Sequence, residues 1–137
     1  MIFDIVGNHT VNHPSMPGVA DEEKLKKEIT SLTEKFTAEY GKEMKYFRPP
    51  MGEYSERTLS ITQSLGYKTV FWSSAYADWD VNKQKGEDYA FKMINEQFHD
   101  GSIILLHSVS KDNATALERV ILEAKAQGYE FKSLDDI

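Results

Sequence analysis

Short segments rich in β-branched and aromatic residues alternate along this chain with longer stretches of helical periodicity, and that alternation leaves few folds open. Residues 1–6, 45–47, 68–72 and 101–106 read as strands, with a last short strand at 129–132. The segments 68–72 and 101–106 are so apolar that they read as parallel strands covered on both faces. The first helix is predicted from Asp21 to about Tyr40. Leu25, Ile29, Leu32 and Phe36 recur at helical spacing, Glu22 and Glu23 sit at the positive end, and Gly41 suits the C-cap. A second is capped by Ser55 and runs through Leu65, with Leu59, Ile61 and Leu65 on its apolar face and Gly66 as its stop. Residues 87–98 and 112–127 complete the set, the latter with Ala116, Val120 and Ala124 on one face and Gly128 as its stop. Pro14 and Pro17 keep the stretch before the first helix irregular, and residues 78–85 form a polar loop. Strands and helices in this order predict a parallel α/β fold, whose sites lie at the carboxyl ends of the strands.

At 137 residues the chain has the length of one domain, and that is the expected organisation. Sixteen Lys and Arg against 22 Asp and Glu leave a net charge of −6, which argues against a nucleic-acid partner. With no cysteine, disulfides, thiolate nucleophiles, cysteine-ligated zinc and iron–sulfur clusters are excluded. No apolar run approaches the ~18 residues that span a membrane. Residues 1–6 are too short for a signal peptide and carry Asp4.

Chemically capable residues follow each strand. His9 and His13, four apart, can hold one divalent metal if the loop brings them together; otherwise they are two exposed loop histidines. Zinc suits imidazoles best, with cobalt, nickel and iron as alternatives. A carboxylate to complete such a site is missing from this group. Arg48 precedes two prolines, Met51 and Gly52, a stiff turn suited to presenting a guanidinium to a carboxylate. Asp78 is placed to orient a histidine and Trp79 to wall a sugar pocket, the alternative being a surface turn. His107 ends the most apolar strand, where folding asks for no imidazole, and is a general-acid candidate. His99 is assigned no role.

HTVNH, RPPMG, ADW and ILLHS, in this order and spacing, resemble the polysaccharide deacetylases of the NodB-homology type, carbohydrate esterase family 4. The flanking text, including YFRPPMGEYSE and LLHSVSKDNATAL, is most similar to the subgroup that makes muramic δ-lactam in spore cortex by removing N-acetyl groups from muramic acid residues of peptidoglycan. The resemblance implies a (β/α) barrel and an extracytoplasmic, metal-dependent hydrolase. It implies His9 and His13 as metal ligands, and Arg48 as the partner of a catalytic aspartate. The backbone N–H of Met51 would serve as an oxyanion donor, Asp78 would tune the general acid His107, and Trp79 and Leu105 would wall the acetyl pocket.

The family's first motif, of the form TFDDG, supplies the catalytic base and third metal ligand and is absent from the chain. Asp4 has no second Asp or Gly after it. The chain is therefore expected to start partway through the barrel, without its first strands, and to be impaired in catalysis and metal binding. The competing expectation is a non-catalytic glycan- or metal-binding remnant. A serine hydrolase is disfavoured, because Ser108 directly follows His107 and no GxSxG occurs. A barrel opened in this way exposes a sheet edge, so self-association through that edge is expected.

Overall fold

The computed structural model describes residues 5–137. Asp4 and most of the strand expected at 1–6 lie outside the described residues. The chain divides into two compact units, Met1–Phe71 and Trp72–Ile137.

In the first unit, α1 spans Glu22–Tyr40 as its periodicity demands. The Asp21 carboxylate caps it by accepting from Lys24 N, Glu22 and Glu23 occupy the first turn, and Gly41 closes it at φ 65°. β1 is Tyr46–Phe47, α2 is Glu56–Ser64 and β2 is Lys68–Thr69. Ser55 and Thr58 close a capping box at the start of α2. β1 and β2 run parallel in the register Tyr46↔Lys68 and Phe47↔Thr69, and Asn8 adds a parallel bridge to Phe47. Met16, Leu25, Ile29, Met44, Phe47, Ile61 and Tyr67 form the core, which clamps α1 and α2 onto these short ladders.

In the second unit, α3 is Glu87–Asn95 and α4 is Lys111–Ala126. Their facing sides bury Ala90, Ile94, Ala116 and Val120, with Tyr76, Phe91, Phe98, Ile104 and Leu106 packed against them. The small Ala90 and Ala116 let the two helices approach closely. Ser74 and Ile104 form a parallel bridge, reinforced by Leu105 N donating to Ser74 O at 2.9 Å.

Three expected strands change on folding. Among the described residues the segment 68–72 pairs only over Lys68–Thr69, and Phe71 is exposed. The segment 101–106 is extended chain with a single bridge, half-buried over residues 102–106. Residues 129–132 form no strand. After Gly128 turns the chain at φ 91°, they border an apolar cavity of about 260 Å³ lined by Phe98, Ile104, Tyr129, Phe131 and Ile137. α3 ends at Asn95, three residues short of the expected 98.

Candidate active site

In the first unit the histidines lie on a loop, not a helical turn. Asn8 fixes its start. The backbone of Asn8 joins the ladder, its N–H donating to Tyr46 O at 2.8 Å and its carbonyl accepting from Arg48 N at 2.9 Å. The fully buried Asn8 carboxamide donates to Ile29 O at 2.7 Å and to Thr33 Oγ1 at 2.9 Å, and accepts from Thr10 N at 2.9 Å. Thr10 and His13 both take left-handed conformations, φ 65° and 54°. For a β-branched residue such as Thr10 this is strained backbone, held by its surroundings. Thr10 Oγ1 accepts from His13 N at 3.1 Å. From α1, the Glu28 carboxylate accepts from Asn12 N at 2.9 Å and Asn12 Nδ2 at 2.7 Å, while the Glu28 carbonyl accepts from Val11 N at 3.1 Å. Burial works to raise the Glu28 carboxyl, but the Asn12 and Val11 donors and Lys24 outweigh it and hold the group below its ordinary value.

This loop brings the His9 and His13 rings together edge to face, with centroids 4.9 Å apart. His9 Nδ1 lies 2.6 Å from the carbonyl of Arg48. A carbonyl only accepts, so Nδ1 carries the proton and Nε2 the lone pair, the arrangement typical of metal-ligating histidines. The pair fits two positions of a metal site. Among the described residues no group of three or more His, Cys, Asp or Glu is placed to hold an ion.

Arg48 is half-buried, and burial lowers the pKa of its guanidinium from the ordinary value. It leads into the tight turn Pro50–Gly52, where Met51 is exposed and left-handed at φ 58°. Ser15 Oγ donates to the Glu53 carboxylate and ties the preceding loop to this turn.

In the second unit Asp78 and His107 come together. Asp78 Oδ1 lies 2.6 Å from His107 Nδ1, and Oδ2 accepts from His107 N at 2.7 Å. The Asp78 side chain is fully buried and that of His107 is 35% exposed. The carboxylate fixes Nδ1 as the donor and leaves Nε2 as the nitrogen that exchanges a proton. Trp79, 60% exposed, stands edge-on to the imidazole at 6.1 Å between centroids. Leu105 is half-buried in the segment that delivers His107.

Sequence reasoning missed Asn8, Thr10 and Glu28 in the first unit, and Tyr76 and Asn113 in the second. Asn113 Nδ2 donates to Asp78 Oδ2 at 2.6 Å, and Tyr76 Oη donates to Asn113 Oδ1. For Asn8 and Asn113 the available signal was a polar residue at a strand end or in the first turn of a helix, where side chains commonly bond backbone; Thr10, Glu28 and Tyr76 carried no such signal. His99 bonds Ser73 and the Asp100 carbonyl, away from these groups.

Parallel strand pairs packed against helices, with histidines following the paired strands, define a parallel α/β protein of the kind that carries its site at strand ends. Residues 4–70 match the polysaccharide deacetylase family model. Over 134 residues the chain is 46% identical to peptidoglycan-N-acetylmuramic acid deacetylase PdaA of Bacillus subtilis, covering 97% of this chain and 51% of that protein. It is 51% identical to an uncharacterised 30.6 kDa protein of Geobacillus stearothermophilus, covering 97% of this chain and 50% of the relative. The solved structure of Bacillus subtilis PdaA, a family 4 carbohydrate esterase, matches with a TM-score of 0.89 over 95% of this chain and 56% of that one. The chain belongs to the polysaccharide deacetylase family, and its fold class is α/β, part of a (β/α) barrel of the NodB-homology type. It spans about half the length of the curated relatives it matches.

Proposed function

We propose that this chain serves the de-N-acetylation of N-acetylated glycan, with muramic acid residues of peptidoglycan as substrate and spore-cortex δ-lactam formation as the setting. The reading takes the 137 residues as part of a single deacetylase domain working outside the cytoplasm. The observation that carries it is the buried Asp78 holding His107 by Nδ1. Amide hydrolysis needs a proton delivered to the departing nitrogen, and an imidazole fixed at Nδ1 presents Nε2–H for that transfer. PdaA, whose name states activity on peptidoglycan N-acetylmuramic acid, supports the substrate.

In this reading water adds to the acetamide carbonyl carbon, the C–N bond breaks, His107 Nε2 gives its proton to nitrogen, and acetate and a free amine result. The Met51 N–H donates to the developing oxyanion. Arg48 would orient the aspartate that takes the proton from water, a group the family draws from its TFDDG motif and this sequence does not contain, and Trp79 and Leu105 wall the acetyl group. A divalent metal, zinc by the chemistry of its donors, would be held by His9 and His13 and would supply carbonyl polarisation when bound. Catalytic metal sites commonly have three protein ligands, so the chain by itself binds the ion weakly and turns over slowly. A second copy of the chain adding to the ladder of Asn8, β1 and β2 is part of the proposal.

The second reading, a glycan- or metal-binding remnant, is favoured by one observation: the sequence contains no TFDDG motif. Acetate release from peptidoglycan in the presence of Zn²⁺ separates the two. The deacetylase reading expects slow release that falls by about 10²–10⁴-fold in His107→Ala. Release unchanged in that variant removes His107 from the chemistry, and glycan binding without release supports the remnant.

A further inference from the structure

The buried Asp78 side chain accepts three hydrogen bonds, and one of its donors has no place in the proposed chemistry. Asp78 Oδ2 takes two hydrogen bonds, from His107 N at 2.7 Å and from Asn113 Nδ2 at 2.6 Å. The Asn113 amide is itself oriented. An ionised carboxylate only accepts, so the NH₂ end of Asn113 must face Asp78 and its carbonyl end must face away. That carbonyl receives the Tyr76 hydroxyl, which must therefore donate. Burial, then the nearby Asp78 charge, raises the Tyr76 phenol further above its ordinary value, so it remains the neutral donor. The result is a one-way chain of donors, Tyr76 to Asn113 to Asp78, met from the other side by His107 Nδ1. Asn113 and Asp78 are almost wholly buried, 6% and 2% exposed, so little water reaches them to replace a lost donor.

Asn113 is held as firmly as it holds. It occupies the first turn of α4, where its backbone N–H donates to the capping Ser110 Oγ at 3.2 Å. Ser110 N in turn donates to the His107 carbonyl at 3.1 Å. Ser110 Oγ donates to Gln84 Oε1 at 2.9 Å, and that oxygen also accepts from Asp112 N at 3.2 Å. The helix start, the loop at residues 78–85 and the imidazole segment are thus stitched together around one carboxylate.

We infer that Asn113, itself set by Tyr76, is a positioning residue: it fixes the rotation of the Asp78 carboxylate so that Oδ1 points at His107 Nδ1. With the amide in place, Oδ2 is saturated by two donors and Oδ1 is reserved for the imidazole. Without it, the carboxylate can rotate to share its oxygens between the backbone N–H and the ring, and the ring loses its fixed orientation. The inference rests on His107 as the proton donor of the proposed function, but its test reads the imidazole directly and needs no turnover.

The test is nitrogen-15 and proton NMR of His107 in the full chain, in Asn113→Ala, Asn113→Asp and Tyr76→Phe, with Ser110→Ala as control. The expected result is a hydrogen-bonded, slowly exchanging Nδ1 proton in the parent. Its exchange should quicken by about tenfold or more in Asn113→Ala, the size set by losing a buried bond to a charged group. Asn113→Asp should abolish the signal by setting carboxylate against carboxylate, and Tyr76→Phe should give a smaller change, because the amide is retained but its direction is not enforced. Ser110→Ala removes the cap of α4 and a bond to the Tyr76 hydroxyl while keeping the Asn113 donor, and should change the Nδ1 proton no more than Tyr76→Phe does. If Asn113→Asp does not fold, Asn113→Ala and Tyr76→Phe carry the comparison. An unchanged Nδ1 proton in folded Asn113→Ala overturns the inference, as does an equal change in Ser110→Ala, which would make the role that of a helix start. Failure of acetate release alongside the expected NMR result would count against the proposed function and leave the positioning role standing.

Discussion

Thr10 and His13 hold left-handed backbone that costs on the order of 1–3 kcal/mol at each non-glycine position, so something in their surroundings must offset it. Glu28 is a large part of the offset, because its carboxylate and carbonyl together bind Val11 and Asn12. Its folded pKa is lowered, so its stabilising contribution is complete above the ordinary carboxylate range and is lost as pH falls through the lowered folded value. Amide shifts of Val11 and Asn12 should therefore move together on acidification below about pH 4.5, and Glu28→Gln should remove that shared titration. Independent drift of the two amides would show that the carboxylate does not anchor the loop. At the same scale, the two imidazoles should bind Zn²⁺ weakly. Calorimetry on His9→Ala/His13→Ala should lose the binding heat, and equal heats for variant and parent would remove the assignment.

Helix α1 is the element on which this loop depends. Ile29 is fully buried, and its carbonyl also receives the Asn8 carboxamide. Ile29→Ala should cost about 2–5 kcal/mol in denaturant unfolding, the range for emptying a tight aliphatic site. A loss well under 1 kcal/mol would mean that α1 contributes less to the core than its burial implies. The helices were legible because their information is local: Asp21, Ser55 and Gly41 cap where they stand, and Ala116, Val120 and Ala124 recur on one buried face. The ladders were not legible in length, because pairing depends on partners far away in sequence. Ile103, Leu105 and Leu106 look like a strand covered on both faces, yet the segment pairs at a single bridge, and Tyr129 and Phe131 pair with nothing that makes a strand. The same limit hid part of the site. The chemistry-bearing residue types could be read one at a time, but Asn8, Glu28 and Asn113 act across 21, 16 and 35 residues of sequence.

At the scale of the molecule, each unit carries a core of its own, and the whole chain carries a net charge of −6. Like-charged copies repel, and that repulsion weakens as salt shortens the screening length from ~10 Å at 0.1 M to ~3 Å at 1 M. Association through the short ladder should therefore grow with protein concentration and with salt, as read by light scattering on a size-exclusion column. A single monomer mass from dilute, low-salt conditions to concentrated, high-salt ones would remove self-association from the proposal. Among the described residues no helix is long and apolar enough to cross a membrane.

The loop that gathers His9 and His13 is short in sequence, yet little of what shapes it lies within it. Its left-handed residues are held by a carboxylate and a carbonyl of Glu28, by Ile29 and Thr33 through Asn8, and by the Tyr46 and Arg48 backbone. The motif is therefore not portable. A synthetic peptide of residues 8–13 would relax to ordinary backbone and bind Zn²⁺ no better than two unlinked imidazoles, and grafting it onto another scaffold would require α1 and β1 to travel with it.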